Sequence, residues 1–242
     1  MAEPRRRIAI VPALNEEGAI GRVVDEIRAY DPGLEIVVID DGSIDRTTDV
    51  AREHGAHVLR LPFNLGIGGS VQTGFRYAYE NGFELAVRVD GDGQHDPAQL
   101  GAVVGPVLRG EVDIAVGSRY LERRDGYRSS ATRRIGIRIL AGTVSVLTRQ
   151  KITDPTSGFQ ALNRKGITLF ASDYPHDYPE VEALVMVIRH RLRLNEVPVA
   201  MRPRTTGRSS IRALSSVYYM VKVLLALFVG TFRRNVVPLE EK

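Results

Sequence analysis

Two aspartates, one residue apart, stand directly after a short apolar run. Residues 85–89 predict a buried strand, and the turn after it begins Asp90-Gly91-Asp92-Gly93-Gln94. Ligands of open α/β sheets bind at the carboxyl ends of the strands, so both carboxylates are placed to meet one. Oxygen donors of this kind suit Mg²⁺ or Mn²⁺, and glycine lets the backbone approach a ligand closely. Because isolated Asp-Gly pairs also form ordinary polar turns, the surrounding elements must support this interpretation.

The elements that position this turn alternate regularly along the chain. Strands are predicted from apolar runs at 8–11, 36–39, 58–61, 85–89 and 114–116. Segments with helical spacing lie between the runs, which predicts an α/β fold with a mostly parallel sheet and helices on both faces. Such a sheet gathers several loops at one edge, namely 12–16, 40–45, 90–94 and 118–119. The segment 196–199 is predicted to be an edge strand because it contains Pro198.

Composition excludes several classes of protein. The chain has 242 residues, 43% of them hydrophobic, which suits one large α/β domain. It has no cysteine, so it has no disulfide, thiolate zinc site or thiol nucleophile.

The glycine-rich turn at 66–69 lacks the dinucleotide-binding spacing, and neither a phosphate-binding GxxxxGK[ST] loop nor a GxSxG elbow occurs. The apolar run after Arg5-Arg6-Arg7 is too short for a signal peptide, so we expect a cytoplasmic protein.

Charge is divided unevenly between the two halves of the chain. Residues 1–118 contain 11 Lys/Arg and 19 Asp/Glu, whereas residues 119–242 contain 22 and 10. An acidic first half can hold a metal, and a basic second half predicts an anionic partner. Seven arginines lie between 119 and 138, among them Arg119, Arg133 and Arg134. Because guanidinium groups match phosphate oxygens, we interpret this run as an anion site rather than a solvated helix face.

The remainder of the second half divides into a turn, a basic loop and a final helix. Asp154 opens the turn 154–159, and Ser209 lies in a basic loop at 202–210 that could hold a phosphate. A helix from 211 to about 232 has an apolar stripe interrupted by Lys222, which predicts an amphipathic helix rather than a bilayer-spanning one. We expect it at a membrane surface or against a partner such as a small membrane protein. The predicted units are 1–210, the helix 211–234 and a disordered tail 235–242.

Six stretches together resemble the family 2 glycosyltransferases, which have the GT-A fold. They lie at 12–16, 40–45, 64–66, 90–97, 117–119 and 154–159, in the order found in the family. Within the family, the Gln94-His95-Asp96-Pro97 extension and the segment 204–209 look like those of polyprenyl-phosphate (dolichyl-phosphate) mannose or glucose synthases. The similarity covers residues 8 to about 210.

This resemblance implies a function and a set of site residues. The function is inverting, metal-dependent transfer of a hexose from a GDP- or UDP-linked sugar to polyprenyl phosphate at the cytoplasmic membrane face, with no nucleic acid partner. The implied catalytic residues are Asp92, Arg119, Arg133 and Asp154. The implied nucleotide-sugar contacts are Pro12, Leu14, Glu16, Asp40, Asp41, Asp90, Gly91, Asp92 and Arg204. The acceptor phosphate would meet Arg119, Arg133, Arg134 and Ser209, and Mg²⁺ or Mn²⁺ would be held by Asp90, Asp92 and Gln94.

Two other functions stay open at this point. A family 2 enzyme of cell-envelope polysaccharide synthesis would use a saccharide hydroxyl as acceptor and need a general base, for which Asp154, Glu180 and Glu182 are the candidates. A lipid phosphate has a second pKa near 6 and attacks without a strong base. The alternative of another class is a non-catalytic nucleotide-sugar-binding or scaffold protein. A sugar nucleotidyltransferase is disfavoured, because the glycine- and arginine-rich loop expected after the first strand is missing.

Overall fold

The computed structural model describes residues 6–122, 131–176 and 178–202, together with 222, 223 and 225, with backbone alone at 131–133. Within these residues the chain forms seven strands and seven α-helices. The strands are β1 Arg7–Ala13, β2 Glu35–Asp40, β3 His57–Arg60, β4 Leu85–Arg88, β5 Ile114–Ser118, β6 Gln160–Asn163 and β7 Leu194–Pro198. The helices are α1 Ile20–Tyr30, α2 Thr47–Glu53, α3 Gly66–Glu80, α4 Leu100–Leu108, α5 Ala131–Thr148, α6 Arg164–Ser172 and α7 Pro179–Arg189, and Pro97–Gln99 forms a 3₁₀ turn before α4.

The strands form one sheet in the order β3-β2-β1-β4-β6-β5-β7. Strand β6 pairs antiparallel with β4 and β5, and the other pairings are parallel. The predicted mostly parallel sheet is therefore confirmed, as is the predicted edge position of the strand that contains Pro198. Sequence reasoning missed β6 and α6, because Gln160-Ala161-Leu162-Asn163 offers only two apolar residues and no alternation that identifies a strand.

Apolar side chains on the two faces of the sheet build two separate cores. In β1, Ile8 and Ile10 belong to one cluster, and Ala9 and Val11 belong to the other. Helices α3, α5, α6 and α7 supply the first cluster, and α1, α2 and α4 supply the second. Burial on both faces explains why the strands read as continuous apolar runs. The predicted helices on both faces are confirmed.

Helix α5 carries apolar residues on two sides, and packing selects one of them. The buried side consists of Ile137, Leu140 and Val144. The outer side exposes Ile135, Ile139 and Val146, together with Arg134 and Arg138. Most of the predicted C-terminal helix lies outside the described residues, although 222, 223 and 225 are helical and Val223 is buried in the first core. No helix among the described residues is both long and apolar enough to cross a bilayer.

Asp113 stabilises the end of the sheet that lies opposite the loops after β1, β2 and β4. Its Oδ1 accepts hydrogen bonds from Asn163 Nδ2 at 2.8 Å and from Arg193 Nη2 at 3.0 Å. Its Oδ2 accepts one from the backbone N–H of Arg193 at 2.8 Å. Burial alone would raise the pKa of Asp113, but the hydrogen bonds from Arg193 and Asn163 outweigh it and lower the pKa to about 2.

Asp113→Asn is expected to reduce the free energy of unfolding at pH 7 by about 1–2 kcal/mol. Because the carboxyl pKa is lower in the folded protein than in the unfolded chain, this stabilisation is complete above about pH 4 and is lost as pH falls toward 2. Denaturant unfolding of both proteins at pH 7, 4 and 3 measures the difference. A gap between them that stays constant down to pH 3 would contradict the assigned ion pair.

Candidate active site

The carboxyl ends of β1, β2 and β4 meet at one edge of the sheet. The backbone N–H of Asp41 donates to Ala13 O at 2.9 Å, and that of Gly91 donates to Pro12 O at 3.1 Å. A Cβ on residue 91 would stand only 3.0 Å from the Pro12 carbonyl oxygen, so this close approach favours glycine. The loop after β1 is also tied to the loop after β2, because the N–H of Asn15 donates to Ser43 Oγ at 2.9 Å.

The two aspartates occupy a tight turn after β4. Asp92 is 9% exposed, and its Oδ1 accepts from the backbone N–H of Gln94 at 3.0 Å. Gly93 has a φ of 74°, which glycine adopts without strain. His95 closes the turn, because its Nδ1 accepts from the backbone N–H of Asp90 at 3.0 Å. Burial lowers the pKa of His95, which favours the neutral ring that this acceptor role needs.

A buried arginine of β4 binds the carboxylate of Asp90. Arg88 Nε donates to Asp90 Oδ1 at 3.0 Å, and Arg88 Nη2 donates to Glu180 Oε1 at 2.9 Å. Burial alone would lower the pKa of Arg88, but the charges of Asp90 and Glu180 outweigh it and raise the pKa, so the guanidinium stays protonated. Gly158 makes room for it, since a Cβ there would lie 2.7 Å from Nη2. One positive charge thus joins α7 to the first aspartate of the turn.

The donor set of this turn fits a hard divalent cation. Asp90 and Asp92 offer carboxylate oxygens and Gln94 an amide oxygen, and Mg²⁺ typically takes one or two carboxylates with phosphate and water. Within the described part of the chain, no group of three or more His, Asp or Glu side chains is arranged as a complete metal cage. Asp90, Asp92 and Gln94 are the residues that could hold a metal at this turn.

Asp40 and Asp41 hold the loops together at the neighbouring strand. Asp40 is fully buried, and its carboxylate accepts from Ser43 N–H at 2.8 Å and from Thr48 Oγ1. Asp41 Oδ1 accepts from Leu65 N–H at 2.7 Å, and burial raises the pKa of Asp41. The residues directly after Asp41 help to form an open pocket of about 500 Å³. It is lined by Gly42, Ser43, Ile44, Arg60, Leu61 and Pro62.

A second charged unit lies at the end of β5. The fully buried Asp154 accepts from Arg119 Nε at 2.6 Å and from Arg119 Nη2 at 2.7 Å, a bidentate pair. The same carboxylate accepts the backbone N–H of Arg119 at 3.1 Å. Glu196 lies behind it on β7, and its pKa is raised by burial and further by the charge of Asp154. This geometry gives Asp154 the role of orienting a guanidinium.

The structure brings most of the sequence-predicted site residues to this edge. Pro12 is buried, Leu14 is exposed and Glu16 is half-buried at the end of β1. Arg134 is exposed on α5. Arg204, Ser209 and the side chain of Arg133 lie outside the described residues, so their assigned roles stay predictions.

Sequence reasoning missed two charged residues that support the site. Arg88 interrupts an apolar strand, and a charge inside a buried run was the signal available. Glu196 lies two residues after the buried Leu194 in β7, so both side chains point to the same, inward face of the strand. The first signal can be seen in the sequence, whereas the second depends on knowing which face of β7 is buried.

The acidic turn after β4 and the oriented arginine after β5 define an α/β protein with its ligand site at the carboxyl ends of the strands. Residues 8–170 match the model of glycosyl transferase family 2, and the chain belongs to that family. It is therefore a glycosyltransferase, and its sheet has the GT-A arrangement.

Relatives and solved structures agree with this assignment. The chain is 29% identical over 229 residues to a polyprenol monophosphomannose synthase of Mycolicibacterium smegmatis, covering 90% of this chain and 86% of that protein. It is 28% identical over 209 residues to a UDP-N-acetylglucosamine–dolichyl-phosphate N-acetylglucosaminyltransferase of Methanococcus voltae, covering 78% and 83%. In fold it is similar to glucosyl-3-phosphoglycerate synthase of Mycobacterium tuberculosis, solved with Mn²⁺ and UDP, with a TM-score of 0.72 and 24% identity over 94% of this chain and 80% of that one.

Proposed function

We propose that the protein transfers a hexose from a nucleotide sugar to polyprenyl phosphate, with inversion at the anomeric carbon and with Mg²⁺ or Mn²⁺ as cofactor. One observation carries the proposal: the aspartate pair after β4 and the Arg119–Asp154 pair after β5 lie at the same sheet edge. One strand, β6, separates β4 from β5, so the two units stand roughly 10 Å apart. That spacing suits a donor diphosphate at one unit and an acceptor phosphate at the other.

The donor would bind at the ends of β1, β2 and β4. Asp92, with Asp90 and Gln94, would hold the metal, which when bound stabilises negative charge on the departing diphosphate. Arg88 keeps the Asp90 carboxylate oriented and partly neutralised. The neutral His95 holds the turn closed. Support for a nucleotide-sugar donor also comes from the UDP bound in the similar solved structure.

The acceptor would bind toward β5 and α5. A phosphate needs no strong base, so arginines need only position it and offset its repulsion from the donor. Arg119 is oriented for this by Asp154. Two of the three base candidates for a hydroxyl acceptor are engaged with arginines, Asp154 with Arg119 and Glu180 with Arg88. These ion pairs favour the phosphate acceptor over the saccharide hydroxyl.

Peripheral binding to the cytoplasmic membrane face belongs to the same proposal. The outer side of α5 presents Ile135, Ile139 and Val146 beside Arg134 and Arg138, a combination suited to an anionic lipid surface. Two relatives named for polyprenol or dolichyl phosphate substrates support a lipid acceptor.

A transfer assay with radiolabelled donors tests the proposal. The protein is incubated with GDP-mannose, UDP-glucose or UDP-N-acetylglucosamine, undecaprenyl phosphate and Mn²⁺, and label in the organic extract is counted. We expect label to enter the lipid fraction with one donor, EDTA to prevent it, and carbon–proton coupling in the product to show a β-linkage. Label that reaches only a soluble glycan, under any donor, would overturn the lipid acceptor.

A further inference from the structure

Glu196 accepts three hydrogen bonds from one turn. It lies on β7 opposite Val116 of β5 and is only 7% exposed. Its Oε1 accepts from the backbone N–H of Asp154 at 2.8 Å. Its Oε2 accepts from the backbone N–H of Thr153 at 2.7 Å and from Thr153 Oγ1 at 2.8 Å. The side chain thus holds the backbone that carries Asp154.

The turn that Glu196 holds in place binds Arg119. Asp154 is fully buried and binds the guanidinium through both carboxylate oxygens. Arg119 Nη2 also donates to Thr156 Oγ1 at 2.7 Å, two residues further along the same turn. Thr153 Oγ1 lies 2.6 Å from Ser118 Oγ, which connects the network back to the end of β5. A displacement of the turn would therefore move Arg119.

The position calls specifically for a carboxylate. Burying one is costly unless its oxygens accept hydrogen bonds, and an apolar residue here would leave the backbone N–H groups of Thr153 and Asp154 without an acceptor. Glutamine has one oxygen and one NH₂ group, so it would set a donor against the N–H of Thr153 or of Asp154. The residue that best matches these three donors is glutamate.

We infer that Glu196 is a positioning residue, which acts through Thr153 and Asp154 to fix the Arg119 guanidinium at the site edge. That Arg119 then meets the acceptor phosphate rests on the proposed function. The fixing of Arg119 itself does not depend on that function. The two parts can be measured separately.

The first measurement reads the position of Arg119 directly by NMR. Its ¹⁵Nε–Hε resonance is assigned from its loss in Arg119→Lys. In Glu196→Gln we expect this resonance to shift and Hε to exchange with solvent about tenfold faster, as the loss of buried hydrogen bonds predicts. Asp113→Asn is the matched control, because it changes a buried aspartate that pairs with an arginine directly before the same two strands, at the opposite end of the sheet. The control should leave the Arg119 resonance unchanged.

The second measurement separates positioning from simple loss of stability. We expect Glu196→Gln to raise KM for undecaprenyl phosphate about tenfold, as one weakened charged contact predicts, with the affinity for UDP or GDP in Mn²⁺ unchanged. Thr153→Val, which removes only the hydroxyl link, should move both readouts in the same direction by less, and it replaces Glu196→Gln if that variant does not fold. A folded variant whose Arg119 resonance matches wild type would overturn the inference. A shifted resonance with unchanged KM would support the positioning and overturn the acceptor site assigned to Arg119.

Discussion

Asp92→Asn is expected to lower the rate of sugar transfer by about 10²- to 10³-fold at the Mn²⁺ concentration that saturates the wild-type protein, because the metal contributes several kcal/mol to stabilising the leaving group. The fold should survive the change. Oδ1 of Asp92 accepts from the N–H of Gln94, and the amide oxygen of asparagine can accept the same hydrogen bond. What the variant loses is the negative charge that attracts the cation.

Two readouts check this expectation. Initial rates of label transfer into lipid give the loss of activity, and electron paramagnetic resonance of free Mn²⁺ in the presence of UDP or GDP gives the metal affinity. Asp113→Asn again serves as control, since it changes an equally buried aspartate far from the site edge. If Asp92→Asn bound Mn²⁺ with the affinity of wild type, the metal would have to lie elsewhere.

Arg88→Met is expected to have the largest effect on stability, a loss of about 2–4 kcal/mol in the free energy of unfolding. Removing one partner of a buried ion pair typically costs about 3–5 kcal/mol, because the remaining charge lacks its counterion. Here the side chains of Asp90 and Glu180 are 31% and 19% exposed, so water compensates part of the loss. Methionine nearly matches the length of the arginine stem, which limits the cavity.

Guanidinium chloride unfolding measures this effect, and two further variants identify its origin. Adding Glu180→Gln to Arg88→Met should recover a substantial part of the loss, because it removes one of the carboxylates left without a counterion. Tyr174→Phe should lower the free energy of unfolding by less than about 1 kcal/mol. The Tyr174 hydroxyl is as far as 3.5 Å from Arg88 Nη1, so the hydrogen bond that it accepts is weak. Equal losses in the single and double variants would mean that packing, rather than charge, stabilises this region.

The sequence predicts the parts of the fold that follow from hydrophobic pattern. Strands β1 to β5 are apolar runs of sufficient length. Their alternation with amphipathic segments predicts the parallel sheet and the edge at which the acidic loops meet. Strand β6 escapes this reasoning because its place in the sheet is set by pairing with β4 and β5. Those partners lie more than forty residues away along the chain, where periodicity carries no information.

The residues of the site also divide into those that local pattern predicts and those whose roles depend on distant contacts. The aspartate turn after β4 follows from its position behind a strand, and the structure places it at the expected edge. The sequence leaves Asp154 either as a turn residue or as a base, because its partner Arg119 lies 35 residues earlier in the chain. Glu196 looks like an ordinary surface charge until the buried face of β7 is known, and Arg88 is a charge in a predicted buried strand whose partner Glu180 lies 92 residues later in the chain. Tertiary contacts, rather than local pattern, give these three charges their roles.

The place of β6 between β4 and β5 also constrains how the chain can be made. A nascent chain can pair β1 to β4 once residue 88 has left the ribosome, but the free side of β4 has to wait for residues 160–163. At about 5–20 residues per second this delay lasts roughly 4–14 s. For that time the growing polypeptide carries an uncovered sheet edge and an unpaired β5, the kind of surface that chaperones bind and that joins neighbouring chains into aggregates.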